Sequence, residues 1–352
     1  MKERLAEYKE LVDNYLTNFL EEKKKEVSQI NMWGEDLIKR LKVFVCQGKT
    51  IRGSLLVMTY KMFKNEIDEN TIKAAAAIEL LHSALLIHDD IIDKDVLRRG
   101  KKTIFAQYEE MCKEENFEDA RHFGYSMGIC AGDVCISSVF EILGTLETKD
   151  EVKSQIIKLF SEDLNCTGLA EMEDIYMGFS KKEFNEERII NIYRYKTARY
   201  TFSAPFLGGA ILAEQDEETM ENLLKLGDHM GIIFQIKDDE LGLFGSELEI
   251  GKTIGSDIAE NKKTLLRLLL FEKVSPDEKE KLRKIFGNQN LDENMVNFVR
   301  ELIDKYKIRE DIYKKIEVFE SKAKYIISNM KITEEHKEFF REFLAYNIGR
   351  KK

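Results

Sequence analysis

The chain has 352 residues, 43% of them hydrophobic and 34% charged, a globular balance that excludes a disordered or collagen-like polypeptide. Its formal charge is −10 at pH 7 without any basic stripe, which disfavours a protein that binds the phosphate backbone of nucleic acids. Only 2 prolines occur where average usage gives about 18, so Pro-rich linkers and turn-rich sheets are disfavoured as well.

Helical periodicity begins near the N-terminus and continues along the chain. The apolar residues from Leu5 to Phe19 recur at helical spacing, and no sustained two-residue alternation appears. Farther along, Ser275-Pro276 and Thr333 have the chemistry of helix N-termini. The pattern predicts an all-α chain of many amphipathic helices joined by short loops, with two longer loops at 99–103 and 244–263.

The cysteines and the apolar runs indicate where the protein resides. The 5 cysteines include no CxxC pair and no zinc-type spacing with histidine, which predicts reduced thiols in a cytoplasmic protein. The Lys- and Glu-rich N-terminus is unlike a signal peptide, and no fully apolar run approaches the roughly 18 residues of a transmembrane helix. No repeat or linker stands out, so we expect one domain over residues 1–352 and no transmembrane segment.

The segment IELLHSALLIHDDIIDKD, which starts at Ile78, is the first that carries chemistry. In a helix, Asp89 and Asp93 lie four residues apart on one face, with His82 two turns earlier on nearly the same stripe. Two such carboxylates repel each other unless a cation lies between them, and Mg²⁺ prefers oxygen ligands of this kind. The alternative is a solvated acidic helix end without a ligand, and this segment by itself leaves both open.

A second copy of the pattern, GIIFQIKDDELG, contains Gln235, Asp238 and Asp239. In both segments the carboxylates follow an apolar run, which predicts that they lie at the wet end of a buried helix. Two such helices facing each other would enclose a pocket with an acidic rim and an apolar floor. Such a pocket suits a metal-bound phosphate head and a hydrocarbon tail.

Basic residues complement these carboxylates, because guanidinium and ammonium groups are the usual partners of phosphate oxygens. Taken singly, each is more often a solvated surface cation, and it is their order and spacing that carry meaning. The basic residues in question are Lys49, Arg52, Arg98, Arg99, Lys196, Lys252 and Lys262.

Taken in order, these segments resemble the trans-isoprenyl diphosphate synthases, the family of farnesyl, geranylgeranyl and longer polyprenyl diphosphate synthases. GKTIR resembles the family's GKxxR, and HSALLIHDDIIDKDVLRRGKKT resembles its first aspartate-rich motif with the RRGxxT that follows. FQIKDDELG resembles the second aspartate-rich motif, and GKTIGSDIAENKKT resembles the lysine-bearing segment after it. The resemblance implies the all-α isoprenoid synthase fold, a single-domain bundle of antiparallel helices around a central cavity.

The resemblance also implies a role for each matching residue. The metal site would hold Mg²⁺ on the allylic diphosphate and would consist of Asp89, Asp93 and Asp238, with Asp239 in support. The allylic diphosphate itself would contact Arg98, Lys196, Thr197, Gln235, Lys252 and Lys262. Isopentenyl diphosphate would contact Lys49, Arg52, His82 and Arg99. The catalytic set would be Asp89, Asp93, Asp238, Arg98 and Lys196.

The implied reaction needs no nucleophile from the protein. Metal ions and basic side chains stabilise the departing diphosphate, so the allylic carbon ionises and the double bond of isopentenyl diphosphate attacks it head to tail. A proton is then lost, with the released diphosphate as its base in the family. Because water would quench the cation, we expect closure by the loop that carries Lys252 and Lys262 and by the basic tail Arg350-Lys351-Lys352.

Product length is expected to depend on the residues one turn before Asp89. In the family, bulky aromatic side chains at this place stop chain growth early, and this chain has Ala84 and Leu85. We therefore expect a product longer than farnesyl diphosphate, either geranylgeranyl diphosphate or a longer all-trans polyprenyl diphosphate.

Three residues depart from the family pattern. Gly53 stands where proline is usual, Gly242 replaces the last aspartate of the second motif, and Glu171 stands where glutamine is usual, close to Asp174, a further candidate for the metal site. The carboxylate of Glu171 would repel a diphosphate unless it contacts a metal or a lysine.

Two alternative functions stay open, and the oligomeric state is inferred only from the family. A class I terpene cyclase would use the same acidic helices, but the second diphosphate site argues against it. A non-catalytic subunit of a heteromeric synthase is favoured by Gly242 and Glu171 alone. The resemblance implies a homodimer, since homodimers are usual in the family.

Overall fold

A computed structural model of the protein, which describes residues 2–116, 118–245 and 255–350, is almost entirely helical. The predicted all-α fold class is therefore confirmed. The helices are α1 (Lys2–Val27), α2 (Met32–Val45), α3 (Ile51–Phe63), α4 (Glu69–Ile92), α5 (Ile104–Glu114), α6 (Ala120–Gly144), α7 (Asp150–Phe179), α8 (Glu186–Ile192), α9 (Ala204–Leu212), α10 (Glu217–Phe244), α11 (Ser256–Ala259), α12 (Leu265–Lys273), α13 (Pro276–Ile285), α14 (Glu293–Lys305), α15 (Ile308–Asn329) and α16 (Glu334–Ile348). Tyr193–Ser203, between α8 and α9, forms a π-helix.

Capping side chains explain where helices begin. The Ser275 hydroxyl accepts the backbone N–H of Glu278, whose carboxylate accepts the N–H of Ser275 in return, and Pro276 is the first residue of α13. Thr333 accepts the N–H of His336 at the start of α16. Both helix starts predicted from the sequence are confirmed.

The described residues form two compact units, and the division falls within α7 and α9. The first unit comprises the described residues of Met1–Phe160 and Pro205–Asp216, and the second those of Ser161–Ala204 and Glu217–Lys352. One domain over the whole chain therefore stays a prediction. Each unit carries one of the two acidic helices.

In the first unit, α4 packs against α1, α3 and α6. Its four alanines at 74–77 have no exposed surface, and a Cβ added at Gly53 of α3 would lie 2.9 Å from the carbonyl oxygen of Ala75. A residue without a side chain is needed for so close an approach. The small side chains thus bring α3, which carries Arg52, against the helix that carries the first acidic motif.

A short hairpin follows α4, where we predicted a longer loop. Strands β1 (Leu97–Arg98) and β2 (Lys101–Lys102) pair antiparallel, and the two residues between them, Arg99 and Gly100, have φ of 53° and 74°. Two consecutive positive φ angles are the geometry of the tightest hairpin turns. The prediction of a longer loop at 99–103 was therefore wrong. Arg99 and Gly100 both adopt positive φ angles, so two residues are enough to make the turn.

In the second unit, α10 packs against the π-helix, α15 and α16. The ring of Phe202 in the π-helix lies 5.4 Å from that of Phe234 in α10 and 5.9 Å from that of Phe343 in α16. Such aromatic packing supplies both buried area and preferred geometry. It holds together the π-helix, which carries Lys196, and the helix that carries the second acidic motif.

One helix in the described part of the chain, α6, is long and apolar enough to cross a membrane by length and composition alone. An ordinary core helix passes the same test, and α6 packs along α4 and α5 in the first unit. This is weak evidence for a membrane span, and the absence of one stays a prediction.

Candidate active site

The first acidic motif forms the end of α4, where its two adjacent aspartates have different surroundings. The Asp90 side chain is 1% exposed, whereas that of Asp89 is 24% exposed. Arg98 reaches both: its Nε donates to Asp90 Oδ1 at 2.5 Å, and its Nη2 lies 3.4 Å from Asp89 Oδ2. Burial opposes the charge of Arg98, but Asp90 and Asp89 outweigh it and raise the pKa of the guanidinium. Arg98 is therefore a firmly charged group at the acidic helix end.

Asp93 lies at the same end as Asp89. It is the C-cap residue of α4, and its N–H donates to the carbonyl oxygen of Asp89 at 2.8 Å. The four-residue spacing therefore places the two predicted metal ligands on the last turn of one helix, as the sequence predicts.

Positive charges lie near His82 in the first unit. Burial, together with the charges of Arg52, Arg99 and Arg98, lowers the pKa of His82 well below its usual value. A neutral imidazole has one N–H donor and one acceptor. Arg99 also lies beside the Gly48 turn, because a Cβ added at Gly48 would be 3.4 Å from Arg99 Nη1. The structure thus brings together Arg52, His82 and Arg99, three residues predicted to bind isopentenyl diphosphate.

Lys49 is the fourth residue predicted to bind isopentenyl diphosphate, and two residues of α1 hold the turn that contains it. Lys9 Nζ donates to the carbonyl oxygen of Gly48 at 2.9 Å and lies 3.0 Å from Thr50 Oγ1, which donates to Asp13 Oδ1 at 2.9 Å. These bonds hold Thr50, which has a positive φ of 50°. We did not predict Lys9 or Asp13, because only their four-residue spacing on α1 marks them and their partners are distant in sequence.

Glu79 is a further residue that we did not predict, although it lies one turn before His82 on α4. It is 6% exposed, and its Oε1 accepts the N–H of Gly53 at 2.8 Å. Burial raises the pKa of Glu79, and the charge of Arg52 opposes that rise. A proline at position 53, usual in the family, would have no N–H for this bond. Gly53 therefore lets Glu79 cap the first turn of α3, the turn that contains Arg52.

The residues predicted to control product length lie inside α4. Ala84 has no exposed surface, and Leu85 is half-buried. On the same helix, His88 fits against α6, where its Nε2 is 3.2 Å from the carbonyl oxygen of Ile129 and would lie 2.1 Å from a Cβ added at Gly132. A glycine on α6 therefore makes room for His88.

The second acidic motif lies at the end of α10 and, like the first, contains one buried and one exposed aspartate. Asp239 is 7% exposed, and its carboxylate accepts the hydroxyl of Tyr193 and, at 2.8 Å, Nε2 of Gln235. Burial is the main cause that raises the pKa of Asp239 well above its usual value. Thr197 donates to Gln235 Oε1 at 2.7 Å, which extends the chain of bonds into the π-helix. The Asp238 side chain, in contrast, is 49% exposed.

A C-terminal arginine covers the open aspartate of this motif. Arg350 Nη2 lies 3.0 Å from Asp238 Oδ1, and its guanidinium is 3.9 Å from the centre of the Phe234 ring. Phe234 and Asp238 are four residues apart, so they share a face of α10. Closure by the basic tail stays a prediction, because Lys351 and Lys352 lie outside the described residues.

Lys196 lies between two carboxylates of α7. Its Nζ is 2.7 Å from Glu171 Oε2 and 2.7 Å from Asp174 Oδ2. The π-helix presents the lysine, and the three-residue spacing of Glu171 and Asp174 places both acids on one face of α7. The contact that we required of Glu171, with a metal or a lysine, is therefore present as a lysine contact.

Lys262 and Gly242 both lie near Asp257. Lys262 Nζ is 2.9 Å from Glu260 Oε2 and 3.9 Å from Asp257 Oδ1, and a Cβ added at Gly242 would lie 3.4 Å from Asp257 Oδ2. The carboxylate of Asp257 therefore lies close to position 242, where the family usually has the last aspartate of the second motif and this chain has glycine. Lys252, predicted to bind the allylic diphosphate, lies outside the described residues.

The open carboxylates of both motifs suit a hard divalent cation. No group of three His, Cys, Asp or Glu within residues 2–116, 118–245 and 255–350 has the geometry of a formed metal site. Asp89 and Asp238 nevertheless offer oxygen ligands of the kind Mg²⁺ prefers, and each already faces a guanidinium, of Arg98 and Arg350 respectively. Each acidic helix end therefore offers ligands of a kind that fits Mg²⁺.

Comparisons with known proteins agree with this site chemistry. Residues 35–303, which include every motif quoted above, match the family profile described as polyprenyl synthetase. A short chain isoprenyl diphosphate synthase of Methanocaldococcus jannaschii is 34% identical over 257 residues, which cover 73% of this chain and 72% of the relative. A geranylgeranyl diphosphate synthase of Saccharolobus solfataricus is 32% identical over 272 residues, 76% of each chain.

A solved structure extends the similarity to the whole chain. It is a geranylgeranyl pyrophosphate synthase from Corynebacterium glutamicum, complexed with isoprenyl diphosphate and magnesium. The TM-score is 0.92 at 28% identity, with 98% of this chain and 99% of the other covered.

Proposed function

This chain belongs to the polyprenyl synthetase family of trans-isoprenyl diphosphate synthases, and from that premise we propose how its residues perform the family's reaction. It has the all-α isoprenoid synthase fold and is a trans-prenyltransferase, which condenses isopentenyl diphosphate head to tail with an allylic diphosphate and releases diphosphate. The observation that carries the assignment of roles is in the first unit. That unit carries both the acidic end of α4 and the basic group of Arg52, His82 and Arg99, which supports the binding of two diphosphates, whereas a cyclase needs only one.

The allylic diphosphate binds with Mg²⁺ at the acidic helix ends. Asp89 and Asp93 at the end of α4, and Asp238 at the end of α10, would each offer oxygen ligands to Mg²⁺, which would supply positive charge to the leaving diphosphate. Asp239, bonded to Tyr193 and Gln235, keeps the end of α10 in place beside Asp238. Asp239 as a direct metal ligand stays a prediction.

Basic side chains complete the stabilisation of the leaving group. Arg98, which stays bonded to Asp90, and Lys196, which faces two carboxylates, would supply positive charge to the diphosphate as the allylic bond breaks. Thr197 orients Gln235, and Lys262 contributes from the loop before α12. At the second site, neutral His82 donates one N–H to isopentenyl diphosphate while Arg52, Arg99 and Lys49 supply charge.

The product is longer than farnesyl diphosphate, with geranylgeranyl diphosphate as the first expectation and a longer polyprenyl diphosphate as the second. We expect Ala84→Phe to shorten the main product by at least one isoprene unit, because the larger ring would fill space one turn before Asp89. Overpacking a buried alanine costs about 1–3 kcal/mol, so thermal unfolding must show that the variant is folded. Products made with labelled isopentenyl diphosphate are dephosphorylated and sized by chromatography.

Leu86→Phe is the matched control, since Leu86 follows Ala84 by two residues and therefore lies about 160° away from it around the helix. Its product should be unchanged. An unchanged product from a folded Ala84→Phe enzyme would place the end of the product channel elsewhere.

A homodimer is supported by an exposed apolar stripe on the second half of α7. Leu169, Met172, Tyr176 and Phe179 recur at spacings of three and four, and each is at least half exposed. Contiguous apolar surface of this kind marks an interaction site, and a second copy of the chain is its simplest complement. The stripe lies in the second unit.

Met172→Glu is expected to convert the dimer into single chains of 41.1 kDa, because the carboxylate would be buried against an apolar partner surface. Light scattering coupled to size exclusion measures the mass. Tyr325→Glu, at an equally exposed apolar residue of α15, is the control and should leave the mass at that of the dimer. Equal masses for both variants would count against the stripe as the interface.

The function as a whole is tested by incubating the purified protein with labelled isopentenyl diphosphate, Mg²⁺ and each of dimethylallyl, geranyl and farnesyl diphosphate. Elongation that disappears on chelation of the metal is the expected result. Binding of diphosphate without elongation of any starter would favour the cyclase or the non-catalytic subunit.

A further inference from the structure

Two carboxylates, not one, hold Lys196 away from solvent. Its side chain is 19% exposed, and those of Glu171 and Asp174, each 2.7 Å from the ammonium, are 16% and 14% exposed. The acid at 174 belongs to the candidate metal site by resemblance, whereas the acid at 171 replaces a glutamine. Glu171 is thus a contact of Lys196 that is peculiar to this chain's departure from the family pattern.

A carboxylate and a diphosphate compete for the same ammonium group. An amide at 171 would still accept a hydrogen bond from Lys196, but without the attraction between opposite full charges. With Glu171 present, Lys196 must leave a second anion before it can bind a diphosphate oxygen. Because all three side chains are partly buried, their interaction is screened less than that of a surface pair.

We propose that Glu171 is a positioning residue that acts through Lys196: it holds the lysine back from the diphosphate and so weakens the enzyme's grip on this group. The proposal rests on the proposed function, in which Lys196 binds the allylic diphosphate. Its benefit lies at the end of the cycle, because the inorganic diphosphate that is released uses the same lysine. A weaker hold on that product favours turnover where product release limits the rate.

The test is a calorimetric titration of inorganic diphosphate, in the presence of Mg²⁺, into the protein and three variants. Glu171→Gln is expected to bind about fivefold more tightly than the original chain, the size expected when one partly screened charge interaction is removed. Glu171→Asp keeps the charge and should stay closer to the original. Glu173→Gln makes the same change of charge two residues along α7, on a side chain that pairs with Arg188 instead, and should not change the affinity.

Steady-state kinetics with Mg²⁺ supply a second measurement that a merely structural effect would not reproduce. For Glu171→Gln we expect a lower KM for the allylic diphosphate and stronger product inhibition by diphosphate, without a rise in kcat. A higher KM with unchanged product inhibition would overturn the proposal.

A double-mutant cycle with Lys196→Met separates action through the lysine from direct repulsion of the diphosphate. If Glu171 acts through Lys196, Glu171→Gln loses most of its effect on diphosphate affinity in the Lys196→Met background. An undiminished effect there, or equal effects of Glu171→Gln and Glu173→Gln, would refute the proposal. Failure of the original chain to elongate any starter would instead count against the proposed function, whatever the titrations show.

Discussion

Replacement of Arg98 by methionine is expected to lower the free energy of unfolding by about 3–5 kcal/mol, because Asp90 would lose the guanidinium that neutralises it inside the first unit. Asp90 is 1% exposed, and a buried carboxylate without its cation is among the costliest defects in a protein. The loss is a large part of the about 5–15 kcal/mol that stabilises a typical domain. Urea denaturation followed by circular dichroism measures it.

A second variant keeps this prediction testable. Arg98→Met combined with Asp90→Asn removes both charges, and it should recover part of the lost stability, since the remaining amide no longer needs a cation. Arg121→Met is the matched control: Arg121 is about half exposed, and its buried partner Glu109 keeps Lys113 at 2.6 Å as a second cation, so the loss should be much smaller than for Arg98→Met. A loss below about 1 kcal/mol for Arg98→Met would show that Arg98 is not the main support of Asp90.

Asp238→Asn is expected to reduce kcat by about a hundredfold to a thousandfold while leaving the free energy of unfolding nearly unchanged. The amide cannot offer the anionic oxygen that Mg²⁺ requires, so stabilisation of the leaving diphosphate is lost. The side chain is 49% exposed and faces Arg350 at the surface of α10, so little folding energy depends on its charge. Steady-state turnover with labelled isopentenyl diphosphate, at several Mg²⁺ concentrations, gives kcat.

The control for that experiment is Asp277→Asn, an exposed aspartate at the start of α13 in the second unit. It makes the same chemical change away from the acidic motif and should keep full activity. If Asp238→Asn retained more than about a tenth of the original kcat, Asp238 would not hold the metal on the leaving group.

The helical fold and the ends of α4 and α10 are predictable from the sequence because their signals are local. Two helix starts are predicted from residues within one turn, namely Ser275 with Pro276 and Thr333. The four-residue spacing of Asp89 and Asp93 by itself predicts that they share a helix face. Gln235 and Thr197 could be placed near each other only through the resemblance to the family, because 38 residues of chain separate them.

The residues that support the site escaped prediction because their partners are distant in sequence. Tyr193 bonds to Asp239, 46 residues away, and nothing around Tyr193 other than its place three residues before Lys196 points to that role. The π-helix that contains both was also not predicted. Its apolar spacing resembles an ordinary helix, and the wider backbone bonding that defines it leaves no compositional mark.

In each acidic motif the first aspartate is open and the second is enclosed, and this bears on how diverged copies of such a chain should be judged. The side chains of Asp90 and Asp239 are buried within their own units, whereas those of Asp89 and Asp238 are accessible from solvent. A copy with a changed second aspartate has altered a folding element, and reduced yield or a lower melting temperature would be its signature. A copy with a changed first aspartate has altered its chemistry. The number of acidic residues in the motif does not distinguish a loss of stability from a loss of activity. The position of the substitution is the better guide to whether a relative is still an enzyme.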